Sequence, residues 1–369
     1  MALITTRTRP TSTVLPLLAG AAGMAFVGGS VAVSGELAGA PMFTIQALRY
    51  AVACLLLLGY ARLRGTRPAR PRGAEWLWLL GIAVTGLVVF NVALVQGARH
   101  AEPAVFGVAV ACVPLLLATL GPLLEGRSPR RAVLAGAAVV TAGAALVEGL
   151  GRSDGAGLGW AVLVFGCEAA FTLLAVPVLG RHGPVGVSVH TTWLAAVLFA
   201  VLGAAGEGPT AITRLRPGDL LAGAYLAVAV TAVAFVLWYG CVEALGAGRA
   251  GLLTGVAPVT AALTGVALGG PAPQLPVWAG VATVAAGLAI GFSSGRRPRP
   301  TAAGVGRRGD GTRDRLLELS AAPPHSRRRR PAWRRDSRSA AAPRRRPTAS
   351  PSNQHSTTCG GGNPLNLDA

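Results

Sequence analysis

The sequence predicts an all-α polytopic membrane protein. Ten transmembrane helices form two inverted five-helix repeats, both termini lie in the cytoplasm, and a disordered basic tail follows. Three observations carry the prediction. The 369-residue chain is 52% hydrophobic and only 13% charged, with a mean hydropathy of +0.52; soluble domains carry roughly 25% charged residues. Apolar runs of spanning length, about 20 residues, recur along it. One of its segments matches another at a fixed offset.

The apolar runs lie at residues 13–34, 42–63, 75–96, 102–124, 131–149, 157–180, 185–205, 218–240, 248–269 and 275–294. Charged or Gly/Pro-rich turns break them, as RGTRPARPRGA does at residues 64–74. The first run follows Arg7 and Arg9 in the manner of a secretory leader. Nine further runs follow it, so it reads as the first helix.

Loop arginines set the orientation, because cytoplasmic loops of membrane proteins retain positive charge. With the N-terminus inside, the inner segments before the tail carry Arg7, Arg9, Arg62, Arg64, Arg67, Arg70, Arg72, Arg127, Arg130, Arg131, Arg181 and Arg249. The outer loops carry Arg99, Arg152, Arg214 and Arg216. Ten spans then return residues 295–369 to the cytoplasm. That tail holds 17 of the 34 arginines, and the chain contains no lysine. The net charge of +19 is therefore concentrated in the tail and the loops, and does not by itself indicate a nucleic-acid protein.

Residues 114–145 align with 258–289 at an offset of 144. Matched pairs include Pro114/Pro258, Gly121/Gly265, Pro129/Pro273, Gly136/Gly280 and Gly143/Gly287. Ala/Gly coincidences are cheap in this composition, but the two prolines and the ordered glycines are less so. The match covers spans four and five against nine and ten. Two halves of five spans follow, at 13–149 and 157–294, flanked by a cytoplasmic segment 1–12 and the tail. An odd number of spans inverts the second copy in the membrane, as in many secondary transporters.

At this point the chain resembles a family. PMFTIQALRYAVACLLLL (41–58), with its Arg49–Tyr50 pair, and ALVQGARHAEPAVFGVAVACVPLLLA (93–118) are similar to segments of the EamA-type drug/metabolite transporters. The second copy VEALGAGRAGLLTGVAPVTAAL (242–263) looks the same. The family often places a Glu just after its fourth helix, and Glu125 fits; the second copy departs, with Gly269 at the matched position. The resemblance covers about residues 13–294. It implies a ten-helix transporter and says little about substrate.

Several polar residues stand inside the spans. Glu168 interrupts VLVFGCEAAFTLL (162–174) in span six. A carboxylate there costs about 2.5 kcal/mol or more. It reads either as a proton-coupling or cation-binding group facing a central cavity, or as a neutral, hydrogen-bonded packing residue. Arg49, one-third into span two, can hold a substrate carboxylate bidentately or snorkel to the interface; the structural role is preferred, with Glu36 as a partner. His190, in the first half of span seven, can change charge near neutral pH, but beside Thr191 and Thr192 it reads more simply as a packing residue. Asn91 and Gln96 end span three and point about 140° apart. Asn91, the deeper, favours a cavity or an interhelical bond; Gln96 is expected in solvent. Trp238 and Tyr239 end span eight, where such residues usually belong to the aromatic belt. Trp76, Trp78, Trp160 and Trp278 fit the same reading. Pro114 and Pro258, at matched positions, are kink candidates, because proline frees a helical carbonyl.

The remaining motifs exclude more than they suggest. The cysteines have no paired spacing, so neither a disulfide framework nor a zinc site is read. GRSDG (151–155) fits G-x-S-x-G around Ser153, but it joins two spans rather than a strand and a helix. No metal or other cofactor is implied, and no enzyme signal is present. The tail, with SRRRRPAWRRDSRS (326–339), cannot bury a core, and its charge fits contact with anionic lipid. The function expected is a secondary transporter in the cell membrane. It moves a small-molecule substrate, most simply by exporting a metabolite or amphipathic compound through alternating access, with proton coupling at Glu168. The alternative is a non-transporting scaffold whose tail recruits partners or lipid.

Overall fold

The computed structural model describes residues 13–30, 33, 36, 37, 39–270 and 272–293. The N-terminal segment 1–12 and the tail 295–369, with the disorder and lipid contact expected of it, lie outside the described residues.

Within the described residues, ten apolar helical segments follow one another: α1 (Val14–Gly29), α2 (Met42–Leu63), α3 (Glu75–Gly97), α4 (Pro103–Leu124), α5 (Arg131–Glu148), α6 (Gly155–Leu173), α7 (Val176–Gly206), α8 (Pro217–Leu245), α9 (Ala247–Ala267) and α10 (Leu275–Ser293). Nine are long and apolar enough to cross a membrane, and α1 is shorter at 16 residues. Their ends follow capping chemistry. Pro103, Pro177 and Pro217 sit in first turns, where the missing N–H costs nothing. Three carboxylates cap helix starts, two of them from other helices. Glu207, closing α7, accepts from the Phe43 and Thr44 amides at 2.8 and 2.9 Å at the start of α2. Asp154 accepts from Gly157 N at 2.7 Å, and Glu125 from Ala247 N at 2.9 Å.

Two boundaries differ from the sequence reading. Span six was expected to run to residue 180, but α6 ends at Leu173 and α7 begins at Val176. Pro177 starts the new helix, and α7 then bends at Gly183, whose φ is 66°. The cause of the bend is Pro184, which disfavours α geometry in the residue before it; glycine accepts the left-handed alternative. Span eight, expected to end at 240, continues to Leu245, where Gly246 at φ 82° stops it.

The halves share irregularities as well as helices. Both α3 and α8 contain a π-helical stretch, Ile82–Val89 and Leu226–Val233, at the same 144-residue offset as the sequence repeat. Wide turns of this kind often mark functional sites. In α4 the α-helix breaks at Cys112 and resumes at Val113; in α9 a 3₁₀ turn, Gly251–Gly255, precedes resumption at Val256. Pro114 and Pro258 therefore sit in the first turn of a resumed helix rather than mid-helix. Around Pro114, the Leu115 amide turns to Cys112 O, and the freed Ala111 carbonyl accepts the Thr141 hydroxyl at 2.9 Å.

Packing interleaves the halves. α5 lies against α10 and α2 against α7; α1 packs on α8 and α9, and α3 on α6. Each pairing survives when every helix is exchanged for the one five places on. The paired counterparts run antiparallel. Gly136 approaches Gly287 and Gly291 while Gly143 approaches Gly280 and Val284; Gly203 meets Thr44, whereas Cys54 reaches Val189 O. Small residues let the α5 and α10 backbones meet directly, the usual basis of helix association in lipid.

Candidate functional site

A cavity of about 540 Å³ opens between α1, α2, α3, α6 and α8. Its lining runs from Leu37 and Ala40, in the α1–α2 loop, down to Glu168, Phe171 and Trp238. It therefore faces the end of the bundle opposite the arginine-rich loops 64–74 and 125–130. Aromatic rings pack together in its lining and behind it. Phe171 lies 4.8 Å from Phe235 and 5.1 Å from Tyr239, and Tyr50 stacks on Phe199 at 5.6 Å.

One wall is polar and connected. Arg49 Nε donates to the Thr231 hydroxyl at 2.9 Å, and its Nη1 to Gln46 Oε1 at 3.2 Å. Gln46 Nε2 donates to Asn91 Oδ1 at 2.6 Å, and Asn91 Nδ2 donates to Leu87 O and to the Tyr50 hydroxyl at 2.6 and 3.3 Å. The spacing i, i+3, i+4 puts Gln46, Arg49 and Tyr50 on one face of α2. The wide turn in α8 aims Thr231 at them, its hydroxyl donating to Leu226 O five residues back at 2.8 Å. A guanidinium has five N–H donors. The two bonds to Thr231 and Gln46 leave the others for a ligand.

Glu168, on α6, lines the same cavity, as do Met24, Phe171 and Trp238. Among the described residues it has no hydrogen bond or ion pair. The remaining lining is mostly aliphatic and aromatic. The cavity thus offers an apolar body site with a cationic, donor-rich rack and a carboxylate in its lining.

The sequence-named residues divide between this cavity and elsewhere. Glu168, Arg49, Asn91 and Trp238 line it. Arg49 does not snorkel, and its bonds go to Thr231 and Gln46 rather than Glu36, which is exposed beside Gly218. Trp238 and Tyr239 are not belt residues. They are 2% and 0% exposed, and they bond inward, Trp238 Nε1 to the Thr172 hydroxyl at 3.0 Å and Tyr239 to Phe171 O at 3.2 Å. Trp76, Trp78 and Trp278 are exposed as expected. Gln46, Thr231 and Phe171 were not singled out from sequence. Gln46 was findable as a polar residue three before Arg49; Thr231 depends on the irregular turn.

His190 does not line the cavity. It lies at the arginine-rich end, where Nε2 donates to Ala69 O at 2.8 Å and Nδ1 accepts from Trp193 Nε1 at 3.3 Å. The neighbouring His182 bonds Glu75 at 3.2 Å, and Glu75 also pairs with Arg181 and accepts from Arg72 N at 2.8 Å. Together these contacts strap the 64–74 loop to the base of α7. On the other side of that end, Glu125 pairs with Arg127 and caps α9. Among the described residues no group of three His, Cys, Asp or Glu is placed to hold a metal ion. Ser153 donates to Asp154 O at 2.9 Å within its loop.

The sequence profile of the EamA-like transporter family matches residues 14–149 and, a second time, residues 155–292. A Bacillus subtilis (strain 168) protein named "Uncharacterized transporter YetK" is 28% identical over 292 residues, which is 75% of this chain and 87% of that protein. A crystal structure superposes with a TM-score of 0.65 at 22% identity, covering 77% of this chain and 98% of the other. That likeness concerns the fold.

Proposed function

The chain belongs to the EamA-like transporter family and is a multi-pass membrane transporter; from that premise we propose a secondary transporter that exports a small metabolite or amphipathic compound by alternating access. The observation that carries the reading is the 540 Å³ cavity, reached from one end and closed at the other. In a cell membrane with the arginine-rich loops inside, it is the outward-open state. The antiparallel pairing of α2 with α7 and of α5 with α10 supports two inverted halves that rock about the cavity. Rocking the other way requires releasing the straps at the arginine-rich end, from Glu75 to Arg181 and from Glu125 to Ala247.

Substrate chemistry follows from the walls. An apolar portion packs on Leu87, Phe90, Phe171 and Phe235, and a carboxylate or other acceptor meets the free N–H groups of Arg49. Glu168 loads a proton from one side and releases it to the other, so that the gradient drives the cycle. A comparison of metabolite levels in a deletion strain and an overexpressing strain identifies the compound. Flux of that compound in proteoliposomes, with and without a pH gradient, then tests the reading. Uphill movement that follows the gradient is expected, and flux indifferent to it would overturn the coupling. No movement of any surveyed compound would favour the scaffold alternative.

A further inference from the structure

A second cavity, of about 70 Å³, lies at the arginine-rich end where the α4–α5 loop meets the α8–α9 bend. Glu125, Arg127, Ser128, Arg130, Gly246 and Arg249 line it. Three arginines and one carboxylate therefore line one small space. That carboxylate is already committed, since Glu125 pairs with Arg127 and accepts the Ala247 amide. The N-terminus of α9 is likewise filled by Glu125 and offers nothing further to a ligand.

Arg130 and Arg249 remain. Among the described residues neither guanidinium has a hydrogen bond or an ion pair. Arg130 and Arg127 act on Arg249 as like charges. Arg249 is half-buried and Arg130 exposed, so the charge of Arg249 is the less screened by water. Two cations lining one concavity repel, and an anion between them offsets that repulsion. At roughly 30 Å³ per water, the space is that of about two waters, which suits one compact tetrahedral group. Guanidinium forks match phosphate oxygens in geometry and hydration, and basic pockets between helices on the cytoplasmic side are a recognised setting for anionic headgroups.

We propose that this cavity is a site for a phosphate-type oxyanion held between Arg130 and Arg249. The two arginines belong to different halves: Arg130 precedes α5, and Arg249 lies in the first turn of α9. An anion between them ties the halves together at this end and favours the state in which the large cavity opens at the other. A phosphodiester headgroup of an anionic lipid and free inorganic phosphate present the same chemistry.

The experiment uses the full chain in neutral detergent and reads the thermal unfolding midpoint. Phosphatidylglycerol, phosphatidylcholine and sodium phosphate are titrated separately at constant ionic strength. The same titrations are run on Arg130→Gln and on Arg130→Gln/Arg249→Gln, all with the tail intact. The expected result is stabilisation of the wild type, with a half-saturating concentration about tenfold higher in the double variant, as loss of a charge-assisted contact implies. An effect of phosphatidylglycerol alone assigns the lipid headgroup, and an effect of phosphate as well assigns a free oxyanion. Arg130 is exposed, so the single variant folds and must show a weakened response even if the double variant does not fold. Equal responses in wild type and variants would place the binding elsewhere and overturn the proposal. So would equal effects of the two lipids without one of phosphate, or no stabilisation at all.

Discussion

Arg49 on α2 and Thr231 on α8 are joined by a 2.9 Å bond from the guanidinium Nε to the hydroxyl. The bond crosses between the two halves at the cavity wall, and it exists because the α8 turn is widened where Thr231 bonds Leu226 O. Thr231→Val keeps the shape and removes the acceptor. Arg49 then keeps only Gln46 and its stacking on Tyr50 at 5.0 Å. A hydrogen bond to a charged group contributes about 1.5–3 kcal/mol, so KM for transport should rise roughly tenfold or more with little change in maximal flux. Thr283→Val is the control, since Thr283 lies outside the cavity lining and its hydroxyl bonds only Ala279 O of its own helix. An equal effect of the two substitutions would remove Arg49 from substrate binding.

Glu168 carries the second expectation. Glutamine is nearly isosteric but cannot load a proton. In proteoliposomes Glu168→Gln should lose gradient-driven accumulation by about tenfold or more, the scale on which losing one charged group acts. Substrate counterflow, which needs no proton, should persist. Full accumulation in the variant would mean that coupling lies elsewhere, whereas loss of both activities would assign Glu168 to binding or packing.

The third expectation concerns pH and a loop outside the spans. Asp154 caps α6, and its carboxyl is held below the usual carboxylate range by the Gly157 amide and then by His100. A carboxylate lowered on folding adds stability that is complete above its unfolded value, about 4. The stability is lost as pH falls through the folded value. The difference in unfolding midpoint between wild type and Asp154→Ala should therefore be constant from about pH 7 to 5 and close below about pH 4. A gap that persists unchanged at low pH would show that the carboxylate charge is not what the cap uses.

These residues also show where the sequence spoke and where it was silent. The helices were legible because lipid demands long apolar runs, and Gly/Pro or arginine breaks punctuate them. The placement of Arg49 was misjudged because snorkelling is the default for a lone arginine, and the default fails when Gln46 and Thr231 supply partners. Trp238 and Tyr239 looked like belt residues by their distance along the helix, but α8 continues to Leu245 and carries them inward. His190 reads from sequence as a hydrogen-bonded packing residue, but the sequence does not say what it bonds. Its partner, Ala69 O, lies in a loop whose path no local pattern records. The matched glycines were the strongest sequence signal, and their partners proved to be one another.

Those glycines carry the last expectation. A Cβ on Gly143 would lie 2.8 Å from Gly280 O and 2.6 Å from Val284 N. A Cβ on Gly287 would lie 2.7 Å from Val140 N. The obstructing atoms are backbone, which cannot rotate away as a side chain can. Overpacking typically costs 1–3 kcal/mol, and here relief means separating α5 from α10 along their length. Gly143→Ala should therefore lower stability by about 2 kcal/mol or more in a denaturant titration. Gly166, in α6, has nothing within 4 Å of its Cβ position; alanine there should be neutral or stabilising by about 0.5–1 kcal/mol, because only backbone freedom changes. Similar results from the two substitutions would mean that the close approach of α5 and α10 is not what joins the ends of the two halves. A large difference would explain why the repeat is most legible at these positions: contact without side chains leaves glycine no substitute.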